Sequence, residues 1–198
     1  MRPDPADART ATSVDEVAAR IRALMASRDV VIVGLAGYGG AGKTTLARAL
    51  AARLPAERVR GDDFLDPRGS RDRSDDWAAL LRDELGAVLD ALRAGEPAEH
   101  RPVDWATGGR QPARIAQAAP VQLVDAVGLL HPQLLPRFDL TVWVDVPLEL
   151  ATERGMRRDR EAGNDHDALW RDVWAPTERA FDARFAPRDV ADLRYVAD

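Results

Sequence analysis

Val30-Val31-Ile32-Val33-Gly34-Leu35 and, one residue later, Gly37-Tyr38-Gly39-Gly40-Ala41-Gly42-Lys43-Thr44 decide how this chain is read. The first stretch is a β-branched apolar run of strand length without polar alternation, the pattern of a parallel strand buried on both faces. The second reads G-x-x-x-x-G-K-T. Its glycines, Gly37, Gly39, Gly40 and Gly42, let the backbone curl so that N–H groups from there through Ala41, Thr44 and Thr45 point at phosphate oxygens. Lys43 brings a compact positive charge to the β- and γ-phosphates, and Thr44 offers a hydroxyl to Mg²⁺. Leu46, Leu50 and Leu54 then recur at helical spacing until Pro55 closes the pattern. Strand, loop and helix in this order set a helix N-terminus at the phosphates, where its dipole favours an anion. The ligand implied is a nucleoside triphosphate, ATP, with Mg²⁺.

Lys43 is the only lysine among 28 basic residues. A composition that writes every other positive charge as arginine retains one ammonium where a point charge must reach between phosphates. It also leaves no lysine for the N-K-x-D element of guanine-selective switches, which argues against a GTPase.

The 198 residues suit one domain with a full core. A formal net charge of −5 argues against a nucleic-acid-wrapping protein. The absence of cysteine excludes disulfides and thiolate metal sites, and His100, His131 and His166 lack ligand spacing. No apolar stretch of membrane-spanning length and no leader pattern stand out, so the expectation is a cytoplasmic protein with no membrane partner. Homo-oligomerisation stays open.

Residues 1–12 read as a flexible tail, and 13–198 as the domain. Ser13-x-x-Glu16 is a capping box that opens an amphipathic helix carrying Val14, Val17, Ile21 and Leu24. A short strand near 57–60, a long helix over 77–94, strands over 121–127 and 140–146, a helix over 148–160, another over 165–185 and a strand over 193–196 follow. Residues 95–120, rich in Pro, Gly and Arg, read as an irregular insert, long enough to be functional. The alternation predicts a three-layer α/β domain around a parallel sheet, with ligands at the carboxyl ends of its strands.

The residues leaving those strands are therefore the candidates. Asp62 and Asp63 end the second strand beside the phosphates, where a carboxylate can take a proton from an alcohol or hold Mg²⁺. Asp125 ends the third, an acid presented to the Mg²⁺ shell in the Walker B manner. Arg154, Arg157, Arg158 and Arg160 form a basic cluster in a lid of about 154–166. Arg154 and Arg158 are the candidates for neutralising the transferring phosphoryl, while at least half of the four read as surface helix residues making ion pairs. Asp104, Trp105 and Arg110, within the insert, combine a carboxylate, an indole face and a guanidinium suited to an organic acceptor. Trp143, Trp170, Trp174 and Phe181 read as core.

Assembled, these residues resemble the uridine kinase-like branch of P-loop kinases, which includes pantothenate kinase and phosphoribulokinase. The resemblance runs from about Val30 to the C-terminus. It is carried by Gly37–Thr44, by Asp62-Asp63-Phe64 as a D-x-F element and by Val103-Asp104-Trp105 in the acceptor region. Asp125-Ala126-Val127-Gly128, and Trp143–Pro147 followed by Arg154-x-x-x-Arg158-Asp159, complete it. It implies a P-loop NTPase fold, a five-stranded parallel sheet of order 2-3-1-4-5 flanked by helices, and Asp62 as the base for the acceptor hydroxyl. The activity implied is phosphoryl transfer from ATP to a hydroxyl of a small metabolite. A uridine- or cytidine-like nucleoside is the first acceptor, pantothenate or a sugar the next, and ATP binding without transfer the alternative. Leu65 stands where the nucleoside kinases carry Tyr or His, and Asp125-Ala126 where they carry Glu-Gly.

Overall fold

A computed structural model describes residues 9–65, 81–104 and 107–196. In chain order the elements are β1 (Thr10–Ala11), α1 (Val14–Met25), β2 (Val31–Ala36), α2 (Lys43–Ala51), β3 (Ala56–Arg60) and a 3₁₀ turn over Gly61–Phe64. A π-turn over Leu81–Leu85 leads into α3 (Gly86–Arg93), followed by β4 (Ala98–His100), β5 (Arg114–Ala116), β6 (Val121–Asp125) and β7 (Leu140–Val144). Next come α4 (Leu148–Glu161), α5 (Asp167–Leu169), a π-turn over Trp170–Trp174, α6 (Ala175–Phe185), α7 (Pro187–Val190) and β8 (Leu193–Tyr195).

The main sheet is parallel throughout, in the order β1-β8-β7-β2-β6-β3. Read from β3, its first five strands follow the order expected from the resemblance, and the sixth, β1, is an addition. Thr10 and Ala11 pair with Arg194 and Tyr195, and the Val196 N–H is donated to the Ala11 carbonyl at 2.9 Å. Thr10 and Ala11, read as part of the tail, are therefore strand residues; two residues are too short to show a period.

β2 is buried along its whole length, and its side chains alternate between two cores. Val31, Val33 and Leu35 pack with Ile21, Leu46 and Leu50 beneath α1 and α2. Ile32 and Ala36 face the other way, toward Leu81, Leu85, Leu89 and Leu92 of the α3 segment and Trp143. The result is three layers with β2 at the centre. At the start of α1, Ser13 Oγ accepts the Glu16 N–H at 3.3 Å, and Glu16 Oε2 accepts the Thr12 N–H at 2.8 Å.

Two expectations are corrected. The insert is a hairpin rather than irregular chain: β4 and β5 are antiparallel, with a further bridge between Val103 and Arg110. Its strands, Ala-Glu-His and Arg-Ile-Ala, are too short and polar to display alternation. The helix over 165–185 is interrupted by the Trp170–Trp174 π-turn. Pro176, early in α6, lacks the N–H that an unbroken helix would use, and the Thr177 hydroxyl takes up the Val173 carbonyl at 2.7 Å. Of the helix expected over 77–94, residues 77–80 lie outside the described residues. Among the described residues no helix is long and apolar enough to cross a membrane.

Beyond the sheet, α4 lies close on the phosphate loop. A Cβ on Gly40 would run into the Ala151 carbonyl oxygen, and one on Gly155 into the Trp170 ring. Gly155→Ala is therefore expected to lower stability by about 1–3 kcal/mol, the usual cost of overpacking, readable as a lower urea midpoint with an unchanged slope. Because Trp170 also lines the cleft described below, ATP affinity should fall with it. Wild-type stability and affinity in that variant would contradict the close approach.

Candidate active site

The glycine-rich loop leaves β2, and α2 begins at Lys43 with Gly42 in a left-handed conformation as its cap (φ 102°). Lys43 is buried, and two of its three N–H donors go to the Gly37 and Tyr38 carbonyls, each at 2.8 Å. The third has no acceptor among the described residues. Burial pulls the Lys43 ammonium below its usual pKa, while Glu178, Asp62 and Asp125 support the charge and Arg158 opposes it. Gly39, Gly40, Gly42, Lys43, Thr44 and Thr45 line a cleft of about 990 Å³, toward the upper end of small-molecule sites.

Gly37 and Ala41 have a different place. Gly37 is buried and Ala41 belongs to the α1–α2 core, with its N–H donated to the Tyr38 carbonyl at 3.0 Å. They shape the loop rather than wall the cleft. The Gly39 N–H is donated to Glu178 Oε2 at 2.7 Å. Glu178, from α6, is itself buried, so a carboxylate from the C-terminal helix ties down the loop.

Parallel pairing sets Leu35 of β2 opposite Asp125 of β6, so the loop and the acid leave neighbouring strands at the same level. Asp125 Oδ2 accepts the Thr44 hydroxyl at 2.7 Å. A third residue joins them: Arg58 of β3 donates from Nε to Asp125 Oδ1 at 2.6 Å and from a terminal nitrogen to Oδ2 at 2.8 Å. The same terminal nitrogen lies 3.2 Å from Thr44 Oγ1. Burial opposes the Arg58 charge, but the Asp125 bonds more than offset it, and its pKa is raised.

Asp62 and Asp63 part company on the 3₁₀ turn, where neighbouring side chains point about a third of a turn apart. Asp62 lines the cleft. Burial pushes its carboxyl above the usual range, against the pull of Lys43, and Asp125 adds to the rise while Arg60 and Arg158 oppose it. Asp63 turns toward the hairpin instead. Its Oδ2 lies 3.4 Å from His100 Nε2 and 3.6 Å from Arg114, and its carbonyl accepts the Val103 N–H at 2.8 Å. His100 stacks on Phe64 at 5.0 Å, and its buried Nδ1 has no protein partner among the described residues.

Two of the expected acceptor residues serve the hairpin. Arg110 makes a two-pronged bond to Glu84 at 2.5 and 2.9 Å, fastening the hairpin tip to the α3 segment. Asp104 Oδ1 accepts the Thr107 N–H at 3.1 Å and closes the turn. Trp105 lies outside the described residues.

Of the four clustered arginines, Arg154 and Arg158 line the cleft. Arg157 faces Glu161, and Arg160 binds Asp167, on the exposed side. Asp159 gathers three neighbours: Trp170 Nε1 donates to its Oδ2 at 2.9 Å, His166 Nδ1 lies 3.2 Å from the same oxygen, and Arg158 donates to Oδ1 at 2.8 and 3.0 Å. Burial works against this carboxylate, yet those bonds hold its pKa below the ordinary value. Trp170 and Trp174 pack on Met156 as core residues should, and they also line the cleft. Arg58, Arg60, His100, Arg114 and Glu178 are the site residues that sequence reasoning missed, and Asp159 entered that reasoning only through the resemblance.

Residues 30–183 match the family described as AAA domain. The uridine kinase of Chloroflexus aggregans (strain MD-66 / DSM 9485) is 33% identical over 142 residues, covering 65% of this chain and 68% of that protein. The chain belongs to the uridine kinase-like P-loop kinases. As a member it is a phosphotransferase with an alcohol group as acceptor. A solved structure assigned as a fructose transport system kinase, from Silicibacter sp. TM1040, superposes with a TM-score of 0.65 at 25% identity, over 93% of this chain and 99% of that one. One assigned as a uridine kinase, from Bacillus stearothermophilus, gives 0.62 at 18% identity over 91% and 99%, a likeness of fold.

Asp62 supplies a test that needs no substrate. Its native pKa lies above the unfolded value, so ionisation destabilises the fold. That penalty is absent below the ordinary carboxylate pKa near ~4, grows as pH rises toward the raised native value and is complete above it. Asp62→Asn should therefore melt above the wild type at neutral pH, with the advantage vanishing toward about pH 4. Melting curves that coincide at every pH would show that Asp62 carries no such penalty.

Proposed function

We propose that this protein transfers the γ-phosphoryl of ATP to a hydroxyl of a nucleoside, with uridine or cytidine as the first acceptors. The carrying observation is the convergence of Lys43, the Thr44–Asp125 pair, Asp62, Arg154 and Arg158 on one cleft. A donor site, a metal site and a basic carboxylate are the parts that phosphoryl transfer needs.

ATP enters with its phosphates against the loop and the N-terminus of α2. The remaining Lys43 N–H meets the β- and γ-phosphate oxygens, and Arg154 and Arg158, which line the same cleft, answer the charge that spreads in the transition state. Thr44 Oγ1 and the Asp125 carboxylate, 2.7 Å apart, are hard oxygen donors that suit Mg²⁺. Among the described residues no cluster of three or more His, Cys, Asp or Glu side chains is arranged to hold a metal, which fits a cation bound jointly by protein and phosphate oxygens. Bound there, Mg²⁺ would neutralise phosphate charge. Asp62, its basicity raised by burial, accepts the proton of the acceptor hydroxyl as that oxygen bonds to the γ-phosphorus. The bond from phosphorus to the bridging oxygen breaks, and ADP leaves.

The nucleoside reading rests on the uridine kinase relative. Asp63, His100 and Arg114 brace the hairpin next to the turn that carries Asp62. Asp63 acts through that brace, and Asp104 and Arg110 keep the hairpin tip in shape.

ADP release measured against nucleosides, pantothenate and sugar alcohols tests the reading. Uridine or cytidine should stimulate it, and Asp62→Asn should lower kcat by about 10²–10⁴ with ATP affinity held within about twofold. ATP binding with no stimulation by any acceptor would contradict it, and full activity in Asp62→Asn would assign the base elsewhere.

A further inference from the structure

Arg58 has no part in the reaction just described, yet it occupies the centre of the proposed metal site. It comes from β3, where parallel pairing sets Arg58 beside Leu123 and Arg60 beside Asp125. The side chain must therefore reach forward along β6 to meet the acid. It arrives as a fork, with two donors on the two Asp125 oxygens at 2.6 and 2.8 Å and one of them also 3.2 Å from Thr44 Oγ1. Both protein oxygens that suit Mg²⁺ are thus engaged by one guanidinium.

Physical chemistry explains why a cation belongs there. Asp125 is 3% exposed, and a carboxylate so buried is costly unless it is paired. A two-pronged guanidinium is the strongest partner that a side chain can provide, and it meets the carboxylate plane with little freedom to wander. A lone divalent cation would have to break that fork and shed part of a tightly held water shell to reach Asp125. A nucleotide changes the balance, because its phosphates add negative charge and oxygen ligands at the same spot.

The geometry points to Arg58 as a resident cation that occupies the metal ligands of the nucleotide-free protein, so that a divalent ion enters only together with nucleotide. The inference rests on the nucleotide and metal site proposed above, but not on transfer to any acceptor. It makes Arg58 a positioning residue: its fork holds the Asp125 carboxylate aimed at Thr44 between turnovers. It also predicts that metal alone does little for the resting protein.

Mn²⁺ binding followed by electron paramagnetic resonance, without turnover, tests it. Nucleotide-free wild type should bind Mn²⁺ at least about tenfold more weakly at this site than with ADP present. Arg58→Met should bind it without nucleotide about tenfold or more tightly than the wild type, and Mg²⁺ should raise the melting temperature of that variant alone. Adding Asp125→Asn to Arg58→Met should abolish both gains. Arg58→Gln, which retains an amide donor beside Asp125, serves if Arg58→Met does not fold, and should show the same direction. Tight Mn²⁺ binding by nucleotide-free wild type that Asp125→Asn removes would overturn the inference. So would equal Mn²⁺ affinity in wild type and Arg58 variants, or a site that fails to appear even with ADP. Acceptor-stimulated ADP release is a separate measurement, so the phosphotransfer reading can stand if this one falls.

Discussion

Everything chemical in this protein depends on the parallel pairing of β2 with β6 and β7. A strand buried on both faces and paired at both edges has no solvent to satisfy its backbone, so its neighbours are obligatory and their register is fixed by hydrogen bonding. Parallel direction then brings the carboxyl ends of all three strands to one edge of the sheet. The glycine-rich loop leaves β2 there, and Asp125 closes β6 opposite Leu35. Antiparallel pairing would carry that acid to the far edge, away from Thr44.

Around this frame the polar groups are held by specific partners. Lys43 is anchored on two loop carbonyls, Asp125 is gripped by Arg58, Asp159 collects Trp170, His166 and Arg158, and Glu178 accepts the Gly39 N–H. Such prior arrangement lets an active site act without reorganising as charge develops. Asp62 differs in being pushed toward the protonated form by burial, which suits the base role proposed for it.

How much of this was legible in the sequence follows from distance along the chain. The P-loop is contiguous, and Asp125 and Asp62 stand at the ends of short strand patterns, so residue type and position were enough to mark them. Arg58 became meaningful only through the register of β3 against β6, and in a chain whose basic residues are nearly all arginine nothing else singled it out. Glu178 lies 139 residues from Gly39 and reads simply as one more helical acid. Asp63 looked like a twin of Asp62 because only the turn geometry reveals that the two point apart. Trp170 and Trp174 have the spacing of core residues and are core residues, but helical period cannot tell that their far edges wall the cleft. The polar hairpin strands lack the alternation on which strand recognition depends.

Phosphorus NMR of a reaction containing the wild-type protein, ATP, Mg²⁺ and a mixture of uridine and cytidine follows the transferred phosphoryl itself. Loss of the γ-phosphate resonance should be matched by a new phosphomonoester resonance of a nucleoside, absent when Asp62 is replaced by Asn. Conversion of the γ-phosphate solely to inorganic phosphate, or an unchanged ATP spectrum, would contradict the assignment of this cleft to transfer onto a nucleoside hydroxyl.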